Sequence, residues 1–264
     1  MADNADSTVI DRPGYSAPAL EKGLDVLELL ATAREGLTIS EIAAALRLSI
    51  SQIFRMIVVM ERRGWLVRDP GDRYRVTYKV LDVAFRATPA QELAHVATPR
   101  MYTLSHQINQ SCHLVVRQSA SALAIVRQES PGTIGFSLRP GTVVNLFVSS
   151  SGHVLLAFAD PAVAGLVLQS APRGVNVKKL ETRLELVRQQ GYESQDSARV
   201  KGVRDISYPI FGFDGSIIAA LTIPYVTFID GTPGVSFEDA RKMLESAARS
   251  ISEGMGLQLQ NAAG

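Results

Sequence analysis

Cysteine is nearly absent: Cys112 is the single one in 264 residues. An intramolecular disulfide is thereby excluded, and the composition suits a reducing compartment. Cys112 itself reads as a small buried hydrophobe on a strand. Long apolar runs are missing too. Stretches such as V-L-L-A-F-A after His153 fall far short of the ~20 residues needed to cross a bilayer. The opening M-A-D-N-A-D-S-T has neither the basic start nor the apolar core of a secretory signal. The cytoplasm is the expected location, with no membrane partner.

The residue sets of common catalytic and metal sites are also lacking. The four histidines, His95, His106, His113 and His153, show no metal-ligand spacing, and one cysteine offers no zinc set. Ser151-Gly152 lacks the flanking glycine of a G-x-S-x-G elbow, and no phosphate-binding glycine loop occurs. No catalytic residue, metal or cofactor is expected, and the chain does not read as an enzyme. Strong net charge is absent as well, at +1, but its distribution is uneven. From Arg47 to Lys79 eight Lys or Arg residues stand against three acids. Such a patch is either a solvated basic face or a surface for nucleic acid, where phosphate contacts dominate affinity.

What is present decides between these. Leu20, Leu24, Leu27 and Leu30 predict an amphipathic helix from Pro18 to about Thr32, broken at Gly36. Thr38 with Glu41, then Ser49 with Gln52, are two capping boxes in succession. Each opens a helix, and the interval between the helices is the turn of a helix-turn-helix. The second helix, Ile50 to about Arg63, turns Ile53, Ile57 and Met60 inward and Ser51, Arg55, Val58 and Arg62 outward. Gly64 ends it. W-L-V-R, D-P-G-D and R-Y-R-V then read as strand, turn and strand. These parts make a winged helix-turn-helix over 16–77, following a flexible arm over 1–15.

A recognition helix presents its N-terminal part to the major groove. The expected DNA contacts are therefore Ser49, Ser51, Gln52 and Arg55, with Arg68, Arg73 and Tyr74 from the wing. Arg can bond guanine bidentately and Gln adenine, although Gln52 is shared with the cap. Trp65 reads as an anchor of the hairpin to the core.

At this point the chain resembles the IclR family of bacterial transcription regulators. A-L-E-K-G-L-D-V-L-E-L-L-A is similar to the family's opening helix, S-E-I-A-A-A-L-R-L-S-I-S-Q-I-F-R to its helix-turn-helix, and R-R-G-W-L-V with D-R-Y-R-V to its wing. S-S-S-G-H-V-L-L-A resembles the turn and helix lining the family's effector pocket. G-Y-E-S, V-K-G-V-R-D-I-S-Y-P-I and D-G-S-I-I-A-A-L-T-I resemble a second block of that domain. Three departures stand out. Ile50 occupies a position that is usually basic, His153 one where Lys or Arg is common, and three serines stand where alanine is frequent.

Val76 to Arg86 predicts a linker helix, placed over 78–90. Beyond it, β-rich runs at Leu114–Val116, Leu123–Val126, Thr142–Val148, Asp205–Phe211 and Ser216–Ile223 alternate with helical patterns at Gly152–Ala159, Pro161–Gln169, Leu180–Gln190 and Ser236–Leu257. This is an α+β domain over 91–264. The resemblance implies a GAF-like fold with a closed effector cavity, lined by Ser149, Ser150, Ser151, Asp205, Ser207, Thr222 and Pro224, with a lid around Thr133 and Phe136. Hydroxyls and N–H groups at the start of a helix favour an anion. A small organic acid, aromatic among the candidates, is the expected effector, with a phenolic hydroxyl or amine near Asp205. A homodimer or tetramer binding a palindromic double-stranded operator completes the expectation. The alternative is a ligand-binding or catalytic domain whose winged helix serves protein contact.

Overall fold

The structure is a computed structural model that describes residues 17–87, 90–133, 135–229 and 234–257. The arm expected over 1–15 lies outside the described residues. The chain divides into two compact units that meet at Pro89 and Ala90 in sequence.

The first unit contains α1 (Pro18–Thr32), β1 (Leu37–Thr38), α2 (Ile39–Ala45), α3 (Ile50–Arg62), β2 (Leu66–Arg68), β3 (Arg73–Val76) and α4 (Lys79–Ala87). Pro18 opens α1 because its missing N–H has no intrahelical partner at that position. The leucine stripe of α1 is split: Val26 and Leu30 are buried, whereas Leu20 and Leu24 face solvent. Both caps form. The Glu41 carboxylate accepts from the Thr38 N–H at 2.8 Å, and the Gln52 side-chain oxygen from the Ser49 N–H at 2.9 Å. Between α2 and α3 the chain turns by 120°. Ile42, Ile53 and Ile57, all fully buried, form the centre of this core. The wing is a three-stranded antiparallel sheet in the order β1-β3-β2. Asp69 closes its turn by accepting from the N–H groups of Gly71 and Arg73.

The second unit runs α5 (Ala90–Ile108), β4 (Cys112–Gln118), β5 (Ser121–Gln128), β6 (Val143–Val144), α6 (Ser150–Ala157), α7 (Pro161–Gln169), α8 (Val177–Gln190), β7 (Glu193–Asp196), β8 (Val203–Phe211), β9 (Ile217–Val226) and α9 (Phe237–Gly254). Its six strands form one antiparallel sheet, ordered β6-β5-β4-β9-β8-β7. Alternation along the strands sends Leu114, Ile206, Tyr208, Leu221 and Ile223 to one face, covered by α5 and α9. Val115 and Ala220 point to the other face, under α6 and α8. This is the α+β, GAF-like arrangement expected for the effector domain.

Sequence periodicity missed α5, although Leu93, Ala97, Met101, Leu104 and Ile108 are all buried along it. Pro99 sits inside that helix, where proline usually breaks the pattern. The strand expected over Thr142–Val148 is reduced to Val143–Val144. Beyond it, Asn145 bends the chain by accepting from the Phe147 N–H at 2.8 Å.

Candidate nucleic-acid interface and ligand cavity

Helix α3 turns Ile53 and Ile57 into the core and leaves Ser51, Gln52, Arg55 and Arg62 exposed. Ser49 and Gln52 are tied to each other in the cap, and the Ser49 and Ser51 hydroxyls lie 3.0 Å apart. Arg55 makes no hydrogen bond or ion pair among the described residues, so its guanidinium is available. The wing residues behave differently. Arg68 pairs with Asp72 at 2.7 Å, an exposed bridge of small energetic weight. Arg73 is occupied by the Gly36 carbonyl at 2.9 Å and the Glu41 carboxylate at 3.1 Å, locking the wing onto the first cap. Hydrogen bonding to the Thr38 N–H, with the Thr38 hydroxyl and Arg73 added, outweighs desolvation and holds the Glu41 carboxyl below its usual range. Tyr74 is not on the surface. Its alternation partner on β3 faces out, but Tyr74 is 6% exposed in the core, which withdraws it as a DNA contact.

In the second unit the three serines divide their duties. Ser149 caps α6, accepting from the Gly152 N–H at 3.0 Å and donating to the Asn145 carbonyl at 2.7 Å. A Cβ at Gly152 would stand 2.5 Å from the Leu146 carbonyl oxygen, so glycine is what lets α6 approach that segment. Ser150 and Ser151 are carried into the interior, 1% and 3% exposed. They face a row of polar side chains set by strand register: His113 opposite Thr222, Thr222 opposite Ser207, Ser207 opposite Glu193.

A cavity of about 250 Å³ lies between the start of α6 and this row. Phe136, Ser149, Ser150, Ser151, Asp205, Thr222 and Pro224, all named from the sequence, line it together. Thr133 is exposed and does not line it, and Ser207 sits behind Thr222 with the two hydroxyls 2.8 Å apart. Sequence reasoning overlooked His113, Asn145 and Arg199, which also line it. Only strand pairing could have placed His113 beside Thr222. Burial pushes the His113 imidazole down to about 4, so it is neutral near pH 7. Burial also pushes the Asp205 carboxyl up to about 6, against a hydrogen bond from Ser197. Among the described residues, two buried polar atoms, His113 Nδ1 and Ser150 Oγ, have no hydrogen-bond partner. An unsatisfied buried group of this kind is costly to the fold and calls for a ligand or ordered water.

The row ends at a second cluster that the sequence did not reveal. Glu193 is fully buried, with a carboxylate oxygen 2.9 Å from Nδ1 of His153 and another bonded by Arg183. Burial raises its carboxyl, but the hydrogen bonds and charges of His153 and Arg183 outweigh this and hold it below the usual range. His153 stands where the resemblance leads one to expect Lys or Arg, and it is buried against Glu193. A wider open groove of about 940 Å³ runs beside this cluster along α8 and β7. Its Arg183 is already taken by Glu193 and the Ser194 carbonyl, so the smaller cavity with its unpartnered atoms is the better ligand site. Cys112 is buried on β4, and desolvation pushes its thiol up to about 12, beyond reach as a nucleophile.

The family model described as the C-terminal region of the bacterial transcriptional regulator IclR matches residues 85–253, and that of the IclR helix-turn-helix domain matches residues 19–70. The chain belongs to the IclR family of bacterial transcriptional regulators. Among its relatives is the HTH-type transcriptional regulator KdgR of Escherichia coli, 27% identical over 270 residues and covering 96% of this chain and 97% of that one. The HTH-type transcriptional repressor AllR of Escherichia coli is 24% identical, covering 93% and 96%. Among solved structures, an IclR homologue from Microbacterium hydrocarbonoxydans complexed with 4-hydroxybenzoate has a TM-score of 0.75 at 25% identity, covering 90% of this chain and 98% of that one. The relatives carry regulator names, and among the described residues no single helix is long and apolar enough to cross a membrane.

Proposed function

We propose that this chain is a non-catalytic, ligand-responsive regulator that binds a palindromic operator through α3 and senses a small organic acid in the 250 Å³ cavity. The observation that carries the sensing half is the pair of buried, unpartnered atoms, His113 Nδ1 and Ser150 Oγ, on two residues that line one cavity. A ligand that satisfies both removes a standing penalty, and that is the chemical basis of recognition here. At about 30 Å³ for each water-sized group, the cavity holds roughly eight non-hydrogen groups, a compact metabolite. The acid end suits the first turn of α6, with its hydroxyls and N–H groups. The body suits Phe136, Leu138 and Val148, and a phenolic hydroxyl or amine suits Asp205. The 4-hydroxybenzoate complex of the Microbacterium homologue supports an aromatic acid. A homodimer, or a dimer of dimers, would read the two half-sites, and the ligand acts by its differential affinity for two spacings of the readers.

The pocket is tested with His113→Leu, which keeps volume but removes the polar atoms. Titrating full-length protein with 4-hydroxybenzoate and a panel of small hydroxy acids, we expect affinity for the active ligand to fall about tenfold or more, in line with loss of a buried hydrogen bond. Thermal stability should hold or rise, because an unsatisfied group has gone. Unchanged affinity would refute the cavity as the effector site.

The reader is tested with Arg55→Ala. One lost bidentate base contact corresponds to about 1–3 kcal/mol, so a gel-shift titration should show operator affinity about ten- to a hundredfold weaker, with ligand affinity intact. Equal operator affinity sinks the assignment. A steep fall of affinity with salt separates DNA binding from a winged helix used for protein contact.

A further inference from the structure

The exposed side of α3 carries two ridges. On one, Ser51, Arg55 and Arg62 are polar or cationic, and Val59 beside them is 41% exposed. On the other, Ile50, Phe54 and Val58 stand four residues apart, one above the next, and are 47%, 52% and 43% exposed. Helix geometry sets Ile50 beside Ser51 and Phe54 beside Arg55, both within the first two turns. The core does not need them, since Ile53 and Ile57 fill it from the opposite side. Exposed apolar groups gathered on one helix face mark a binding surface rather than a solvated one. Ile50 is also the residue that departs from the basic expectation at its position.

Charge selects the occupant. Arg55 and Arg62 flank the apolar ridge, the acid on this side, Glu61, stands at the far end of the helix, and the segment from Arg47 to Lys79 holds eight basic residues against three acids. The partner is therefore a polyanion that also offers isolated apolar groups at the reach of a helix. The major groove of duplex DNA has such groups, the C5-methyls of thymine, which aliphatic and aromatic side chains cover.

We propose that Ile50 and Phe54 make α3 a reader of thymine methyl groups, so that each operator half-site places thymine within a base pair or two of the guanine met by Arg55. The inference rests on α3 being the recognition helix, and it adds a sequence preference that the polar ridge alone does not supply. Burying one methyl corresponds to about a fourfold gain in affinity, and the two half-sites of a dimer multiply that gain.

The test uses the full-length protein and an operator selected from a random duplex pool. Each thymine is replaced in turn by deoxyuridine, which removes only the methyl. At one or more positions in each half-site the wild type should lose about fourfold in affinity. Phe54→Ala or Ile50→Ala should bind the thymine operator more weakly and show no further loss on the matching deoxyuridine duplex. Both side chains are exposed, and unchanged melting of the variants verifies that the fold is kept. If no deoxyuridine position weakens the wild type, or if the loss persists undiminished in both variants, the proposal is overturned. Concentration-dependent self-association that Phe54→Ala abolishes, with DNA binding unaltered, overturns it in favour of a second copy of the chain. Failure to select any operator, or equal binding by Arg55→Ala, instead removes the underlying assignment of α3.

Discussion

Glu193→Ala should lower the unfolding free energy of the protein by about 3–5 kcal/mol, the range for breaking a buried charge pair by removing one partner. Glu193 is fully buried and accepts from both His153 and Arg183. The two partners are not equally harmed by its loss. The Arg183 side chain is 37% exposed and can turn to water, whereas that of His153 is 7% exposed and cannot. The larger part of the loss therefore falls on His153, and the lower half of the range is expected. Urea unfolding measures it. Glu193→Gln keeps the shape and part of the bonding and should lose less. The carboxyl sits below its ordinary 4.5 in the folded state, so its contribution is present above that value and disappears as pH falls through the folded value. Glu193→Gln should flatten the acid side of the stability profile. A variant as stable as the wild type, with an unaltered acid limb, would show the cluster to be ornamental.

Gly152→Ala should both destabilise the second unit and abolish ligand binding. The added Cβ meets the backbone of Leu146, 2.5 Å from its carbonyl oxygen and 2.6 Å from its Cα. Backbone cannot rotate aside as a side-chain tip can, so either α6 or the Leu146 segment must move. Overpacking of this kind costs about 1–3 kcal/mol. Ser149, Ser150 and Ser151 sit at the start of the displaced helix, so the cavity wall shifts with it. Calorimetry should find the ligand signal lost while DNA binding by the first unit persists. Wild-type ligand affinity in Gly152→Ala would mean that the cavity does not depend on the close approach of α6.

Much of the first unit was legible because its signals are local. A capping box spans four residues and acts on its own backbone, so Thr38 with Glu41 and Ser49 with Gln52 marked both helix starts. Tyr74 was misjudged for the converse reason. Along R-Y-R-V the alternation shows that one face is apolar, yet an aromatic flanked by arginines looks like a DNA contact until the core of α1 and α3 is placed beneath it. Arg73, expected from the sequence as a DNA contact of the wing, is tied up in the same way. Its partners, Gly36 and Glu41, lie 37 and 32 residues away, and only the folded wing brings them near.

In the second unit the motif residues found their places, because S-S-S-G and D-G-S sit at turns whose geometry is local. The serine cap at Ser149 and the hydrogen bond from the Ser216 hydroxyl to the Asp214 carboxylate follow from a few neighbouring residues. The sensing chemistry does not. His113, Thr222, Ser207 and Glu193 come from four strands, β4, β9, β8 and β7, and pairing β4 with β9 joins residues more than 100 apart. The amino-acid sequence by itself determined where α2 and α3 begin, which face of α3 is free and which small residues crowd the start of α6. Tertiary structure alone decided that His113 and Ser150 line one cavity with Nδ1 and Oγ unpartnered, that His153 answers Glu193, and that Tyr74 is core. Desolvation is the reason: the charge, reach and protonation of these groups depend on what surrounds them, and their surroundings are assembled from distant parts of the chain.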